Sequence, residues 1–185
     1  MESLARAMFY PSYVYNRTLK LAGLRTWYDQ IDKNIVLGAL PNHTTLKEVK
    51  SKFNVAHILT LNEDHELSNS NLYATQQQIK DLNMQVKRVK IVDFVGMPSN
   101  KEIEEGADYI KSVVEDLDEV VYIHCKAGRS RSSMILGAYL MKYRKMSAKE
   151  AYSFMQSKRS CVDWRESNWT CMNGFEKSVG AREAE

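Results

Sequence analysis

Apolar residues are concentrated in four short runs along the chain, with longer helical patterns between them. The runs that predict β-strands are Asn34–Leu40, Val55–Leu61, Val86–Val92 and Val120–His124. The third run is the weakest, because Lys87 and Arg88 interrupt its apolar positions. Strands that alternate with helices usually pair in parallel. The pattern therefore predicts an α/β protein with a central, mostly parallel sheet flanked by helices.

Capping boxes mark the beginnings of several helices. A Ser or Thr three residues before a Glu or Gln is the spacing of this motif, and it occurs at Thr45, Thr75, Ser99 and Ser147. We predict a helix after each of them. The segment Ser132–Tyr143 has almost no polar face, which predicts a helix that is buried on most sides. A last helix is predicted around Asn168–Val179.

Composition narrows the possible classes of protein. The 185 residues suit one domain, and a net charge of +3 is too small to indicate a nucleic-acid partner. No apolar run approaches the ~18 residues that a membrane-spanning helix needs. The three cysteines are an odd number without metal-ligand spacing, so we expect a reducing compartment and no disulfide framework.

The first 26 residues differ from the rest of the chain. They are rich in basic and aromatic side chains and contain one acidic residue, Glu2. This composition is typical of a targeting or membrane-contact segment, in which aromatic side chains settle at the membrane interface. The basic residues are Arg6, Arg17, Lys20 and Arg25, and the aromatic residues are Phe9, Tyr10, Tyr13 and Tyr15. Pro11 is expected to interrupt any single long helix. The alternative is that this segment forms a helix docked on the main domain. We expect the main domain to span residues 27–180.

The sequence VYIHCKAGRSRSS, residues 121–133, joins a buried strand to a buried helix through a polar turn. The unpaired N–H groups at the beginning of a helix form an anion site. Gly128 allows close wrapping of the loop, and Arg131 can hold two oxygens of one phosphate. The same field lowers the pKa of Cys125, whose thiolate becomes a nucleophile aimed at phosphorus. The predicted phosphate-binding residues are Lys126, Ala127, Gly128, Arg129, Ser130 and Arg131.

Each of these residues has an ordinary interpretation when it is taken alone. A buried cysteine is common in protein cores, and arginines are mostly solvated. A nucleotide-binding loop is excluded, because it requires a Gly-Lys-Ser/Thr ending that AGRSRS lacks. The combination of His-Cys, five residues, Arg and Ser at a strand–helix junction instead favours a Cys-dependent phosphatase.

The segment HCKAGRSRS, residues 124–132, resembles the His-Cys-x5-Arg-Ser/Thr signature of the protein tyrosine phosphatase superfamily. The short chain looks like the dual-specificity branch. The resemblance implies that Cys125 is the phosphocysteine nucleophile and Arg131 the phosphate clamp. It implies that Ser132 hydrogen-bonds the sulfur and helps the intermediate break down, and that His124 supports the thiolate from behind the loop. No metal or cofactor is expected.

Expulsion of an alkoxide also requires a proton donor. In the family this donor is an Asp on a loop that precedes the cysteine, and Asp93, directly after the third predicted strand, fits that place. Asp108, Asp116 and Asp118 lie in or at the end of a predicted helix, where a solvated face explains them.

Further blocks resemble mitochondrial phosphatases that act on phosphatidylglycerophosphate. These are FYPSYVYN, WYDQID together with VLGALP in residues 27–41, LTLNEDHE and VDFVG. The resemblance implies hydrolysis of a phospholipid phosphomonoester at an anionic membrane surface, on the matrix side of the inner mitochondrial membrane, by a monomer. It also implies a substrate-pocket loop formed by Glu63, Asp64, His65 and Glu66. That loop departs from the usual Asn-Glu-Glu-Tyr-Glu at Asp64 and His65, and a solvated acidic loop is the alternative.

Other functions stay open at this point. The loop chemistry is indifferent to what lies beyond the phosphate, so phosphotyrosine, phosphothreonine and phosphoinositides are alternative substrates. A non-catalytic phosphate-binding module is a third possibility. Lys126 and Arg129 either meet the polyanionic headgroup or are simply solvated.

Overall fold

The computed structural model describes residues 2–93 and 97–183. Its five-stranded sheet has the order β1-β2-β5-β3-β4, in which β1 is antiparallel to β2 and the other neighbours are parallel. The strands are β1 (Tyr28–Asp32), β2 (Ile35–Gly38), β3 (Val55–Thr60), β4 (Gln85–Arg88) and β5 (Val120–His124). The predicted α/β architecture with a mostly parallel sheet is confirmed.

Eight α-helices surround the sheet in the described part of the chain. They are α1 (Glu2–Leu21), α2 (His43–Phe53), α3 (Asp64–Leu67), α4 (Gln76–Asp81), α5 (Asn100–Lys111), α6 (Arg131–Arg144), α7 (Ala148–Lys158) and α8 (Glu166–Glu183). A π-helical turn, Ser112–Asp116, continues α5.

Alternate strand residues point to opposite faces of the sheet, which divides the core in two. Leu37, Leu59 and Ile123 belong to a cluster with α5, α6, α7 and α8. The side chains of Val36 and Tyr122 belong to a second cluster with α1, α2 and α4. Because α6 is covered by sheet and helices, its residues from Arg131 to Met141 are all buried, as its apolar pattern predicts.

Three of the four predicted capping boxes are present. Each pairs a hydroxyl with the backbone N–H three residues on, at Thr75, Ser99 and Ser147. The box predicted at Thr45 is wrong. Helix α2 already begins at His43, and Asn42 caps it by accepting a 3.0 Å hydrogen bond from the Thr45 N–H. Asn is a strong cap, so the helix begins earlier than the Ser/Thr pattern suggests.

Strand β4 is shorter than the predicted Val86–Val92. Its partner β3 ends at Thr60, so the chain after Arg88 has no regular ladder to join. The Val89 N–H donates to the Thr60 carbonyl at 3.0 Å, and the Ile91 N–H donates to the Leu61 carbonyl at 3.3 Å. These bonds lead the chain to Asp93. Phe94, Val95 and Gly96 of the VDFVG block lie outside the described residues.

Helix α1 runs without interruption through Pro11, contrary to the prediction. A proline in a helix costs about 3 kcal/mol, through a lost hydrogen bond and a clash. Pro11 is exposed, while Phe9 and Tyr13 are only 1% and 4% exposed and belong to the second core cluster. Burial of these two rings explains how the helix persists, since tertiary packing supplies most helix stability in proteins.

The docking of α1 revises the expected role of its aromatic residues. Tyr13 packs edge-to-face on Trp27 with ring centroids 5.9 Å apart. Phe9 and Tyr13 are therefore turned into the protein and not toward a membrane, whereas Tyr10 and Tyr15 remain exposed. No helix in the described ranges combines the length and apolarity needed to cross a bilayer.

Candidate active site

The predicted phosphate-binding loop lies between the end of β5 and the beginning of α6. Gly128 has a φ of +63°, a conformation that side chains other than glycine rarely adopt. A Cβ atom there would lie 2.4 Å from the carbonyl carbon and oxygen of Gly38. The Leu40 N–H also donates to the Lys126 carbonyl at 3.2 Å. The loop is thus held closely against the segment that follows β2.

Cys125 lies at the bottom of this loop and is 3% exposed. Its Sγ is 3.3 Å from the hydroxyl of Ser132. Burial raises the pKa of the Cys125 thiol. The positive charge of Arg131 and hydrogen bonds from the hydroxyl and backbone of Ser132 outweigh burial and bring that pKa below its usual value. The site therefore stabilises the thiolate relative to that of an ordinary cysteine.

His124 lies behind the loop, where the sequence places it. Its Nε2 is 2.9 Å from the Thr60 hydroxyl, and its Nδ1 is 3.4 Å from the Cys125 carbonyl oxygen. Complete burial lowers the pKa of His124 to about 3, so the imidazole is neutral at physiological pH. The expected support of Cys125 by His124 stays a prediction, and it would rest on position and hydrogen bonding and not on charge.

Arg131 is held by a buried carboxylate. Its Nη1 donates to Glu66 Oε2 at 2.8 Å and its Nη2 donates to Glu66 Oε1 at 2.9 Å. Nη1 also donates to the Ile91 carbonyl at 3.1 Å. Both partners of the ion pair are buried, at 5% and 1% side-chain exposure. The Nε atom makes no hydrogen bond of good geometry among the described residues, so the edge of the guanidinium that Glu66 does not hold is the one a phosphate would meet.

Asp93 lies at this same edge. Its Oδ1 is 3.2 Å from Arg131 Nε, and its Oδ2 forms an ion pair with the buried ammonium of Lys126. The Asp93 N–H faces Glu63 Oε2 at 3.4 Å. The structure thus brings Cys125, Arg131 and Asp93 together. In this arrangement, the Asp93 carboxylate is paired with the cations that a substrate phosphate would also meet.

The predicted substrate-pocket loop forms the short helix α3 and the residue before it. None of Glu63, Asp64, His65 and Glu66 lines the catalytic cavity described below. Glu63 and Glu66 are 5% and 1% exposed, so the solvated alternative is wrong for these two. Hydrogen bonds from Lys90 and Arg88, each 2.6 Å long, lower the pKa of exposed Asp64 to about 2. The loop therefore holds Arg131 from the side away from the cavity, through Glu66, and forms no part of the cavity wall.

One sequence signal does point to Glu66. A buried arginine requires a carboxylate partner, and NEDHE follows β3. Strands β3 and β5 are parallel neighbours with Thr60 opposite His124, so their carboxyl ends lie side by side. That register brings an acidic residue after β3 close to an arginine after β5.

Lys126 and Arg129 are both paired, so neither is simply solvated. Lys126 is 4% exposed and lies 5.9 Å from the centre of the Phe9 ring, in addition to its ion pair with Asp93. Arg129 donates to Asp163 at 2.8 Å and to the Cys161 carbonyl at 3.1 Å. Arg129 lines the cavity, and a role in binding a headgroup stays a prediction for both residues.

Arg159 supports the phosphate loop from outside, and no sequence pattern indicated this role. It follows α7 and is 1% exposed. Its guanidinium donates to the Gly128 carbonyl at 2.9 Å and to the Ala127 carbonyl at 3.2 Å, and it forms a 2.5 Å ion pair with Asp29. Carbonyls held on this outer side leave the loop N–H groups free to face an anion. A charged residue at a helix end is usually solvated, which is why the pattern does not reveal it.

A cavity of about 260 Å³ opens above Cys125. Its walls come from the phosphate loop, from helix α1 and from the beginning of α8, with apolar contributions from Val92, Met97 and Met134. Within the described ranges, no three His, Cys, Asp or Glu side chains lie close enough together to hold a metal ion.

The comparisons with known proteins agree with this geometry. The family model described as "Dual specificity phosphatase, catalytic domain" matches residues 35–178. The chain belongs to this family. It is a Cys-dependent phosphoric monoester hydrolase of the dual-specificity type.

Two phosphatases and one solved structure are similar to this chain over most of its length. The human "Phosphatidylglycerophosphatase and protein-tyrosine phosphatase 1" is 34% identical over 97% of this chain and 89% of its own length. An Arabidopsis thaliana "Phosphatidylglycerophosphate phosphatase PTPMT1" is 34% identical over 89% of this chain and 47% of its own length. The crystal structure of PTPMT1 in complex with PI(5)P has a TM-score of 0.77 and 31% identity, and it covers 85% of this chain and 99% of its own.

Proposed function

We propose that the protein hydrolyses the terminal phosphomonoester of phosphatidylglycerophosphate to phosphatidylglycerol, which is a precursor of cardiolipin. The observation that carries this proposal is the cavity above Cys125, in which a stabilised thiolate, an oriented Arg131 and Asp93 meet. The names of the human and Arabidopsis relatives support the choice of lipid.

The first step transfers the phosphoryl group to the enzyme. The edge of Arg131 that Glu66 does not hold and the loop N–H groups bind the phosphate oxygens, and Cys125 Sγ attacks phosphorus from below. The S–P bond forms while the P–O bond to the glycerol breaks. Asp93 delivers a proton to the departing oxygen. The substrate phosphate replaces the Asp93 carboxylate at Arg131 and Lys126. The carboxylate, no longer paired with these cations and now beside the negative phosphate, takes up a proton from solvent and can then act as the acid.

The second step releases phosphate and restores the thiolate. A water molecule attacks the phosphorus of phosphocysteine and gives a proton to the Asp93 carboxylate that the first step leaves, while the S–P bond breaks and the sulfur departs as thiolate. The Ser132 hydroxyl, 3.3 Å from Sγ, donates to the sulfur as negative charge returns to it. This hydrogen bond makes Cys125 a better leaving group, so both halves of the reaction use the same contact.

The cavity suits a leaving group that is polar near the phosphate and apolar farther away. Arg129 and Arg165 line it beside Met97 and Met134. A glycerol that carries a phosphodiester is anionic close to the reacting phosphate, which favours the arginines, and the lipid beyond favours apolar contacts.

Helix α1 supports action at an anionic membrane surface. Tyr10, Val14, Arg17 and Leu21 recur at helical spacing along one exposed side of the helix. Apolar and basic side chains on one face are typical of contact with an anionic bilayer. We propose a peripheral, monomeric protein on the matrix side of the inner mitochondrial membrane, with residues 1–26 as the targeting or membrane-contact segment.

A side-by-side substrate panel tests the proposed function. The full chain is assayed for phosphate release from phosphatidylglycerophosphate, PI(5)P and a phosphotyrosine peptide, with Cys125→Ser as the matched control. We expect the highest kcat/KM on phosphatidylglycerophosphate and no turnover by Cys125→Ser on any substrate. A higher kcat/KM on PI(5)P would favour the second candidate, a phosphoinositide phosphatase, which the PI(5)P complex of PTPMT1 supports. A binding module without activity would turn over none of the three.

A further inference from the structure

Helix α1 takes part in the catalytic cavity itself. Ser12, Tyr15 and Asn16 line the same cavity as Cys125 and Arg131. We propose that α1 is a substrate-selecting wall of the active site, in which the Tyr15 ring contacts the leaving group of the bound phosphomonoester. The proposal rests on the proposed phosphatase activity but on no particular lipid headgroup.

The wall is fixed to the catalytic machinery by the buried side of α1. Phe9 packs edge-to-face on His65 at 5.9 Å between ring centroids, and the Lys126 ammonium lies 5.9 Å from the Phe9 ring. His65 precedes Glu66, the carboxylate that orients Arg131, and Lys126 follows Cys125. Helix α1 therefore rests directly on both segments that surround the reacting phosphate.

Asn16 joins the wall to the chain that follows the helix. It is a polar residue with only 6% exposure, and its Nδ2 donates to the Ser12 carbonyl at 2.7 Å. Its Oδ1 accepts a hydrogen bond from Arg25. A segment that served only for targeting would not require a buried, hydrogen-bonded polar side chain beside the active site. The hydrogen bonds of Asn16 hold α1 in a fixed position relative to the cavity.

Tyr15 is the side chain of this wall that is best placed to meet a substrate. Its hydroxyl makes no hydrogen bond with the described residues, and 59% of the residue is exposed although it lines the cavity. An aromatic ring with a polar tip suits a leaving group that is polar near the phosphate and apolar beyond it. Small aryl phosphates fill less of the 260 Å³ cavity and depend less on this wall.

Tyr10 provides a matched control on the same helix. It is 53% exposed but does not line the cavity, since five residues of helix place it about 140° around the axis from Tyr15. Its ring packs on Phe9 at 5.1 Å. The two tyrosines thus share residue type, helix and exposure, and they differ in whether they face Cys125.

The experiment compares Tyr15→Ala and Tyr10→Ala with the wild-type full chain. Each is assayed on p-nitrophenyl phosphate and on short-chain, water-soluble phosphatidylglycerophosphate and PI(5)P, so that vesicle binding plays no part. For Tyr15→Ala we expect kcat/KM on the lipid that the wild type turns over best to fall about tenfold, mainly through KM. Its kcat/KM on p-nitrophenyl phosphate should fall much less, because the smaller leaving group depends less on this wall, and Tyr10→Ala should match the wild type on every substrate.

Three results would overturn the proposal. These are an unchanged lipid kcat/KM in Tyr15→Ala, an equal loss on the lipid and on p-nitrophenyl phosphate, or the same selective loss in Tyr10→Ala. The wild-type rates test which lipid is the substrate, whereas the ratio of variant to wild type tests the wall. Either statement can therefore fail while the other stands.

Discussion

Replacement of Glu66 by Gln removes one negative charge from the buried pair that holds Arg131. The two side chains share two hydrogen bonds, of 2.8 and 2.9 Å, and are 1% and 5% exposed. Removal of one partner from a buried ion pair costs about 3–5 kcal/mol when the other charge is left without compensation, and here Asp93, 3.2 Å from Arg131 Nε, keeps the loss at the low end of that range. Gln keeps one oxygen that can accept from Arg131. We therefore expect the free energy of unfolding to fall by about 3 kcal/mol.

Catalysis should fall for a related reason. The amide N–H₂ that Glu66→Gln introduces would face an N–H of Arg131, so the guanidinium turns away from the direction in which it meets the phosphate. A displacement of about 1 Å in an active site costs about 10²-fold in rate. We expect a loss of this size in kcat/KM for a soluble aryl phosphate, with the Cys125 thiol still present and titratable.

Asp64→Asn is the matched control, because Asp64 lies two residues earlier in the same short helix. Its ion pairs with Arg88 and Lys90 are exposed, and exposed pairs contribute little to stability. Urea unfolding and aryl phosphate kinetics are measured for both variants. The double variant Glu66→Leu, Arg131→Met should be more stable than Glu66→Gln, since no charge remains buried alone. Equal effects of Glu66→Gln and Asp64→Asn would refute the reasoning.

Three further predictions concern the catalytic residues. Arg131→Lys should lower kcat/KM nearly as much as Arg131→Ala, because an ammonium group cannot replace the bidentate guanidinium. If the lysine variant keeps most of its activity, Arg131 is not the residue that binds the phosphate. Asp93→Asn should slow alkyl phosphates ~10²–10⁴-fold and spare aryl phosphates with acidic leaving groups, whereas equal losses would place the acid elsewhere. The thiolate is the reactive form, so activity rises as pH rises through the pKa of Cys125. Ser132→Ala removes a hydrogen bond that lowers this pKa and should shift the acid limb of the kcat/KM profile to higher pH, and an unmoved limb would contradict the assigned role.

Local patterns were sufficient for most of the fold. Strands β2, β3 and β5 are largely apolar runs, and three capping boxes mark helix beginnings, because these signals come from residues close together in the chain. The phosphate loop was predictable for the same reason, since its cysteine, glycine and arginine lie within one strand–turn–helix unit. Strand β1 was missed, because YDQID is polar and pairs only at the antiparallel edge of the sheet.

The residues that hold the catalytic side chains and the phosphate loop in place could not be predicted from local patterns, because their roles depend on tertiary contacts. Glu66 and Arg159 lie far along the chain from the atoms they hold, and neither belongs to a local motif of its own. The continuity of α1 also depends on distant residues. The local preference of Pro11 predicts a break, whereas burial of Phe9 and Tyr13 against Trp27 and His65 favours one helix.

The docking of α1 also changes how the N-terminal segment must be tested. Deletion of residues 1–26 would uncover Trp27 and remove Phe9 and Tyr13 from the second core cluster. A loss of activity or folding after deletion would therefore say nothing about targeting. Substitution of exposed residues such as Val14 and Leu21, which are 58% and 78% exposed, leaves the buried side intact.

The central claim is that the phosphoryl group passes from the lipid to Cys125. Phosphatidylglycerophosphate labelled in its terminal phosphate is mixed with the Ser132→Ala variant, in which breakdown of the intermediate should be slow, and the reaction is quenched within one turnover. We predict that the label appears on the peptide that contains Cys125 before free phosphate is released, and that Ser132→Ala combined with Cys125→Ser acquires none. Release of labelled phosphate without any labelled Cys125, or a label on another residue, would contradict the account.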